Sequence, residues 1–299
     1  MNTLPATHLE AEIVTQPQDW LTARDTATEY AGLLPEPGER VAVVGCGTSL
    51  HMAQSFAALR ENAGLGVTDA WTPTEHHLER GYDRLIAITR SGTTTEVVDL
   101  LDHVRGQLPT TVITSSEGTP VLELADSIFT PQVDEQSVVQ TRFATTTLAM
   151  LRWHLGEDLG PVSEQAQAVL DADESSLGAA VATDQITFVG RGWTIGIAQE
   201  AALKLRESAQ AWTEAYPMME YRHGPVSISA PGRVVWAFGE LVDNFAEDIA
   251  VTGADLMTSS YDALADLLRV HRLCVVRARV AGLNPDVPRN LTRSIILAP

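Results

Sequence analysis

Glu200, Lys204 and Glu207 recur at i, i+4 and i+7 in the run Glu-Ala-Ala-Leu-Lys-Leu-Arg-Glu. On a helix that spacing puts all three on one face. A carboxylate held beside an ammonium there is equipped for general acid–base work on a bound ligand. His223 follows in Glu-Tyr-Arg-His-Gly-Pro, where Gly224-Pro225 ends regular structure and favours a loop. An imidazole titrates near neutral pH and suits acid–base work. The plain alternative for the triplet is a solvated charged stripe stapled by i,i+4 pairs. A Gly-rich turn precedes the helix, and ligands gather at such turns in parallel sheets, which favours the reactive reading.

The first half offers hydroxyls instead. Ile88-Thr89-Arg90-Ser91-Gly92-Thr93-Thr94-Thr95-Glu96 joins an apolar run to a helix start. First-turn N–H groups and the positive end of the helix dipole favour an anion there, and hydroxyls add donors without adding charge. A capping box from Thr93 to Glu96 is the competing account, and both can hold together. Ser49 lies at the end of a neighbouring apolar run, so hydroxyls converge from two strand ends and phosphate binding is the favoured reading. The turn Gly45-x-Gly47 shows only a close backbone approach, to a ligand or to a packed helix. The third glycine of a dinucleotide fingerprint is absent, with Leu50 and Ala53 nearby, and no acidic ribose reader is in place. Nicotinamide dinucleotide binding is therefore disfavoured. No cofactor and no metal site are expected.

Elements that must position these residues are legible from a repeat. Val44, Gly45, Gly47, Ala53, Gln54 and Ala57 match Val189, Gly190, Gly192, Ala198, Gln199 and Ala202 at one offset of 145 residues. Val41 to Val44 and Ile186 to Val189 read as buried parallel strands. Each is followed by a glycine turn, by Ser49 or Thr194 as helix N-cap, and by a helix. Further strands are expected at Leu85 to Ile88, Thr111 to Ile113 and Val234 to Phe238. Helices are expected at 94–104, 139–155 and 162–182. The alternation implies an α/β fold with a doubly wound parallel sheet in each half, duplicated. An N-terminal helical segment over 1–30 precedes domains at 31–158 and 159–299.

Composition narrows the partners. With 39 Asp and Glu against 20 Lys and Arg, the formal charge of −19 opposes binding to nucleic acid or an anionic membrane. A small phosphate held by local donors is still allowed. Two cysteines are too few for a disulfide framework. No signal peptide and no apolar run of membrane-spanning length stands in the sequence, so a cytoplasmic protein is expected.

Five segments, VVGCGTS, AITRSGTT, VGRGWTIGIAQEAALKLRESA, EYRHGP and PRNLTRS, together resemble the sugar isomerase (SIS) family. Within it, the likeness is to the isomerase half of the glucosamine-6-phosphate synthases, and it runs from about residue 10 to 297 in the family's motif order. It implies two SIS domains of flavodoxin-like α/β/α architecture. A phosphosugar would sit on Ser49, Thr89, Ser91 and Thr94, with Arg90 as an extra charge that either touches phosphate or faces solvent. Glu135 to Arg142 stands where the family reads E-x-x-V-A-S-T-K. By that match Val138 lines the sugar through its backbone, and Gln140 replaces a sugar-contacting serine. Glu207 matches the enolisation base, Lys204 the lysine that assists it, and His223 the ring-opening histidine. In relatives that histidine comes from the neighbouring subunit, implying a homodimer with a shared active site.

Two departures shape the expected reaction. The likeness starts within the isomerase half, so a protein without the glutaminase portion is expected. Arg293 stands in Pro-Arg-Asn-Leu-Thr-Arg-Ser where the synthases place an imine-forming lysine; a guanidinium there can pin a phosphate or hydroxyl of the substrate, but it stays protonated and forms no imine. The expectation is thus an enzyme, a phosphosugar isomerase/deaminase moving a proton between C1 and C2 of an amino-sugar or Amadori-type phosphate. A ketose/aldose phosphosugar isomerase and a non-catalytic phosphosugar sensor are the alternatives.

Overall fold

A computed structural model describes residues 7–298. Nine strands, β1 (Val41–Gly45), β2 (Thr68–Trp71), β3 (Arg84–Ile88), β4 (Thr110–Thr114), β5 (Asp126–Phe129), β6 (Gln185–Gly190), β7 (Trp212–Pro217), β8 (Val234–Ala237) and β9 (Asp255–Met257), form two sheets among the described residues. The helices are α1 (His8–Ile13), α2 (Gln16–Glu29), α3 (Thr48–Asn62), α4 (Thr95–Val104), α5 (Val121–Leu124), α6 (Arg142–His154), α7 (Gly160–Asp171), α8 (Thr194–Ala209), α9 (Phe245–Thr252) and α10 (Ala263–Val280). Every strand pair is parallel.

The first sheet has the order β2-β1-β3-β4-β5. This is a doubly wound order, whose direction of progression reverses between β1 and β3, and ligands bind beyond the carboxyl ends of strands at such a point. Val44 lies beside Ala87 and Gly45 beside Ile88, so the two strands end together. Both hydroxyl-bearing loops therefore start from adjacent strand ends. The second sheet runs β7-β6-β8-β9 and has its corresponding reversal between β6 and β8.

Apart from Arg84 at the start of β3, the strands that flank each reversal are buried along their whole length. Ala42, Val44, Leu85 and Ala87 pack with Val97, Leu100 and Leu101 of α4. In the second sheet, Val189, Val235 and Ala237 pack with Phe245 and Ile249 of α9. The β6 and β8 region also stacks Phe188, Trp236 and Phe238 with ring centroids 5.9–6.4 Å apart.

The chain divides into two compact units with interleaved segments. The unit around the first sheet comprises 18–135, 142–159 and 292–298. The unit around the second sheet comprises 7–17, 136–141 and 160–291. Of the N-terminal segment 1–30, residues 1–6 lie outside the described residues, and the rest contains the two helices α1 and α2. The helix expected over 162–182 ends at Asp171; a 3₁₀ segment follows, where Asp173 caps Ser175 and Gly178 turns out of helical geometry at φ 54°.

The two glycine turns serve chain packing. A Cβ on Gly45 would lie 2.6 Å from the Ser49 carbonyl carbon, and one on Gly190 would lie 2.2 Å from the Thr194 carbonyl oxygen. Each helix start thus presses on its strand end at a distance only glycine allows. Gly47 and Gly192 both take positive φ, at 54° and 56°. Ser49 and Thr194 are not N-caps: those positions belong to Gly47 and Trp193, one residue or more earlier than the pattern suggested. Both side chains sit inside the first turn instead. Thr194 accepts the Arg191 N–H at 2.8 Å and donates to the Phe238 carbonyl, tying the turn to β8.

Candidate functional site

In the first unit, Ser49, Thr89 and Ser91 are buried and Thr94 is half-buried. Backbone bonds fix the loops that carry them: Ser49 N–H donates to the Cys46 carbonyl at 3.1 Å and Thr89 N–H to the Ile113 carbonyl at 3.0 Å. The hydroxyls of Ser49 and Thr89 have no hydrogen-bond partner among the described residues. Ser91 Oγ accepts from Thr93 N–H at 3.4 Å and lies 3.5 Å from Thr94 Oγ1. Gly92 makes the turn possible, with φ 62° and a position where a Cβ would sit 2.2 Å from Thr119 Oγ1.

The expected capping box is not formed. Thr94 is the N-cap of α4, which makes Val97 the third helical residue and puts Glu96 one place too early for the box. The Thr94 side chain makes no capping bond among the described residues. Burial, helped by the Glu96 charge, raises the Cys46 thiol to about 11, so this cysteine is a poor nucleophile at neutral pH.

Arg90 is 5% exposed and faces no solvent. Its guanidinium pairs with the Glu135 carboxylate at 3.3 Å, and both side chains are nearly inaccessible. The other Glu135 oxygen accepts the Arg142 N–H at 2.7 Å at the start of α6. One buried carboxylate thus joins the end of β3 to a helix start. A buried ion pair is retained only when hydrogen bonds satisfy the rest of its capacity, and Glu135 meets that condition. Arg293 pairs with Asp134, donates to the Glu135 carbonyl, and reaches Ser116 Oγ at 3.1 Å. Both arginines therefore engage the same two-residue segment.

In the second unit, Val138 donates its N–H to the Asp286 carbonyl at 3.3 Å. The Gln140 amide nitrogen is buried without a hydrogen-bond partner among the described residues. Glu12 accepts the N–H groups of Gln136 and Ser137 and so fixes the approach to this segment. Sequence reasoning did not single out Glu12, Asp134 or Glu135 as organisers, because Glu12 acts on Gln136, Asp134 on Arg293 and Glu135 on Arg90, each distant along the chain.

The α8 triplet forms as its spacing predicts. Lys204 Nζ lies 3.6 Å from Glu200 and in hydrogen-bond contact with Glu207. Lys204 and Glu200 side chains are each 1% exposed, whereas Glu207 is 18% exposed. A fully enclosed ammonium stands only with anionic partners. Of the three, Glu207 is the group a ligand can reach. Behind the triplet, Ser208 Oγ donates to the Lys204 carbonyl at 2.6 Å. On α10, His271 is held neutral down to about 3, first by burial and then by the Lys204 charge. It lies 3.4 Å from the Gln16 amide.

His223 is exposed, just beyond the short turn Glu220–Arg222. Its N–H closes that turn on the Glu220 carbonyl at 2.9 Å, and its ring makes no hydrogen bond among the described residues. The turn is held by Arg222 on Asp248 at 2.6 Å and by Tyr221 on Ser229 at 2.6 Å. The structure brings together Glu200, Lys204 and Glu207 in one unit and Ser91, Thr94, Arg90 and Arg293 in the other. Among the described residues there is no group of three or more His, Cys, Asp or Glu side chains arranged to hold a metal ion. None of the described helices is long and apolar enough to cross a membrane.

No family model matches the chain. Among curated relatives, it is 28% identical over 296 aligned positions to a glutamine–fructose-6-phosphate aminotransferase of Sulfolobus acidocaldarius, covering 86% of this chain and 50% of that one. The chain spans about half the length of the curated relatives it matches. Among solved structures, it resembles a glucosamine-6-phosphate deaminase from Thermotoga maritima with TM-score 0.76 and 21% identity, covering 97% of this chain and 100% of the other. It also resembles tagatose-6-phosphate ketose/aldose isomerase from Escherichia coli with TM-score 0.79 and 19% identity, covering 100% and 99%. At those identities the structural likenesses establish the fold alone. The chain is homologous to the isomerase (SIS) region of the aminotransferases.

Proposed function

We propose that the chain is a phosphosugar isomerase/deaminase acting on an amino-sugar or Amadori-type phosphate. The observation that carries this is the enclosed Glu200–Lys204–Glu207 stack with Glu207 alone reaching solvent. A binding module has no use for a carboxylate held beside a buried ammonium. A proton shuttle needs that pair.

For an open-chain 2-amino-2-deoxy-aldose phosphate, the carboxylate of Glu207 removes the C2 proton and an enolamine forms. The proton returns to C1, giving a C2 imine. Water adds to that imine and ammonia leaves, yielding the ketose phosphate. Lys204 holds the Glu207 carboxyl group in place for both transfers. His223 opens the ring, contributed by the partner subunit of a homodimer. The phosphate is held by Ser49, Thr89, Ser91 and Thr94, with the Val138 backbone and Gln140 at the sugar. On this reading each half is a flavodoxin-like SIS module derived by duplication.

Arg293 favours a second reading. Its guanidinium is engaged by Asp134 and offers no amine for an imine. Chemistry confined to the enediol, a ketose/aldose isomerisation, uses the same base without nitrogen. Both readings are tested by incubating the protein in D2O with glucosamine-6-phosphate and, separately, fructose-6-phosphate. Deuterium is expected at C1 or C2, with ammonia release from the amino sugar alone identifying the deaminase. Glu207→Gln is expected to slow exchange by about 10²–10⁴-fold. Binding without exchange, unchanged in the variant, makes the protein a sensor and removes both enzymatic readings.

A further inference from the structure

The N-terminus of α4 has no side-chain cap of its own, although three successive threonines stand there. A distant segment meets the need. The Ile295 carbonyl accepts the Thr95 N–H at 3.1 Å, and Leu297 N–H donates to Thr95 Oγ1 at 2.9 Å. Ser294 Oγ accepts from Thr93 Oγ1 at 3.0 Å and lies 3.3 Å from Thr94 Oγ1. All three threonines are thus fixed by residues about 200 positions later.

Apolar burial does not hold this segment. Ile295, Ile296 and Leu297 are 47%, 70% and 56% exposed. The anchors are polar and sit at its start: Arg293 on Asp134, on the Glu135 carbonyl and on Ser116, with Arg90 directed at the Arg293 carbonyl at 3.5 Å. The same Arg90 closes on Glu135 from within the hydroxyl loop. Arg293 and the loop are therefore tied through one shared acidic segment, Asp134–Glu135.

We propose that Arg293–Leu297 is a positioning strap for the hydroxyl loop: Arg293 locks the strap down, and Ser294 and Ile295 orient Thr93, Thr94 and Thr95 so that the Thr94 hydroxyl is preset for an anion. The strap acts through the loop, and Arg293 is a positioning residue. This rests on the reading of the loop as the phosphate site. A hydroxyl whose rotamer is already fixed gives up less freedom when it binds, and capping lowers the cost of keeping the helix end in register.

The test is calorimetric titration of the full chain with inorganic phosphate, repeated with Arg293→Ala, Arg293→Lys, Ser294→Ala and a chain ending at Leu291. Phosphate affinity is expected to fall about tenfold in Arg293→Ala and in the shortened chain. Arg293→Lys is expected to recover part of the loss, since it keeps the charge and loses the fork. With a turned-over phosphosugar, KM is expected to rise in Arg293→Ala while kcat stays within about threefold. Ser294→Ala removes one hydroxyl and is expected to weaken phosphate at an unchanged melting midpoint, which separates positioning from folding. Equal or tighter phosphate binding in these variants overturns the strap, tighter binding meaning that the segment competes with the anion. Failure of the unaltered chain to bind phosphate overturns the phosphate reading of the loop, and the strap's role with it.

Discussion

Glu200 and Glu207 flank one lysine on one helix, yet solvent reaches only the second. The difference follows from their places on α8: Glu200 faces inward one turn before Lys204, and Glu207 lies in the last turns near the exposed helix end. Identical chemistry thus acquires separate roles through burial alone. Hydroxyls on the other unit follow the same logic, since Ser49 and Thr89 keep their bonding capacity open while Thr194, the counterpart of Ser49 in the second half, spends its own on Arg191 and Phe238. Ser91→Ala combined with Thr94→Ala is expected to raise KM for a phosphosugar strongly, because each lost hydrogen bond to a charged group is worth about 1.5–3 kcal/mol. Steady-state kinetics check this, and an unchanged KM places the phosphate elsewhere. The reactive types and their spacing were legible in the sequence because helical periodicity alone brings Glu200, Lys204 and Glu207 together. The partners of Arg90 and Arg293 were not, because their carboxylates, Glu135 and Asp134, stand 45 and 159 residues away.

Helices α8 and α10 share an interface that carries polar groups as well as apolar ones. His271 there stays uncharged in the folded chain down to about 3, while the same ring in the unfolded chain takes a proton near 6.5. The folded state binds fewer protons between those values, so stability is complete above 6.5 and falls as pH drops towards 3. Gln16, Lys204 and the raised thiol of Cys274, pushed up to about 12 by burial, are the polar neighbours in this layer. His271→Gln is expected to flatten the acid side of a urea-midpoint profile between pH 6 and 4; an identical slope in both proteins assigns the acid loss to other groups. Among the elements themselves, the strands flanking each sheet reversal were legible as continuous β-branched runs. β2, β5, β7 and β9 were not. They lie at sheet edges, carry polar residues such as Asp69, Glu214 and Asp255, and owe their geometry to a neighbouring strand rather than to their own pattern.

The molecule as a whole carries a formal charge of −19, against which any anionic ligand must be held by short-range donors. Self-repulsion of that size disfavours compactness and is screened by salt. Raising sodium chloride from 10 to 300 mM shortens the screening length from about 30 Å to below about 10 Å. The thermal midpoint is therefore expected to rise by a few degrees, about what 1 kcal/mol gives in a chain of this size, when followed by scanning calorimetry. A falling midpoint shows that attractive surface pairs outweigh the repulsion. The two-sheet α/β plan was visible from the repeated strand–glycine–helix grammar. The allocation of segments was not, because 7–17 and 136–141 belong with the second sheet and 292–298 with the first. That interleaving bears on synthesis. A ribosome delivers the first sheet complete by residue 129, yet the strap that caps α4 emerges more than 160 residues later. α1 waits likewise for Asp286, whose carboxylate takes its first N–H groups. The unit around the second sheet therefore cannot be complete before residue 291 has been made, nor the unit around the first before residue 297.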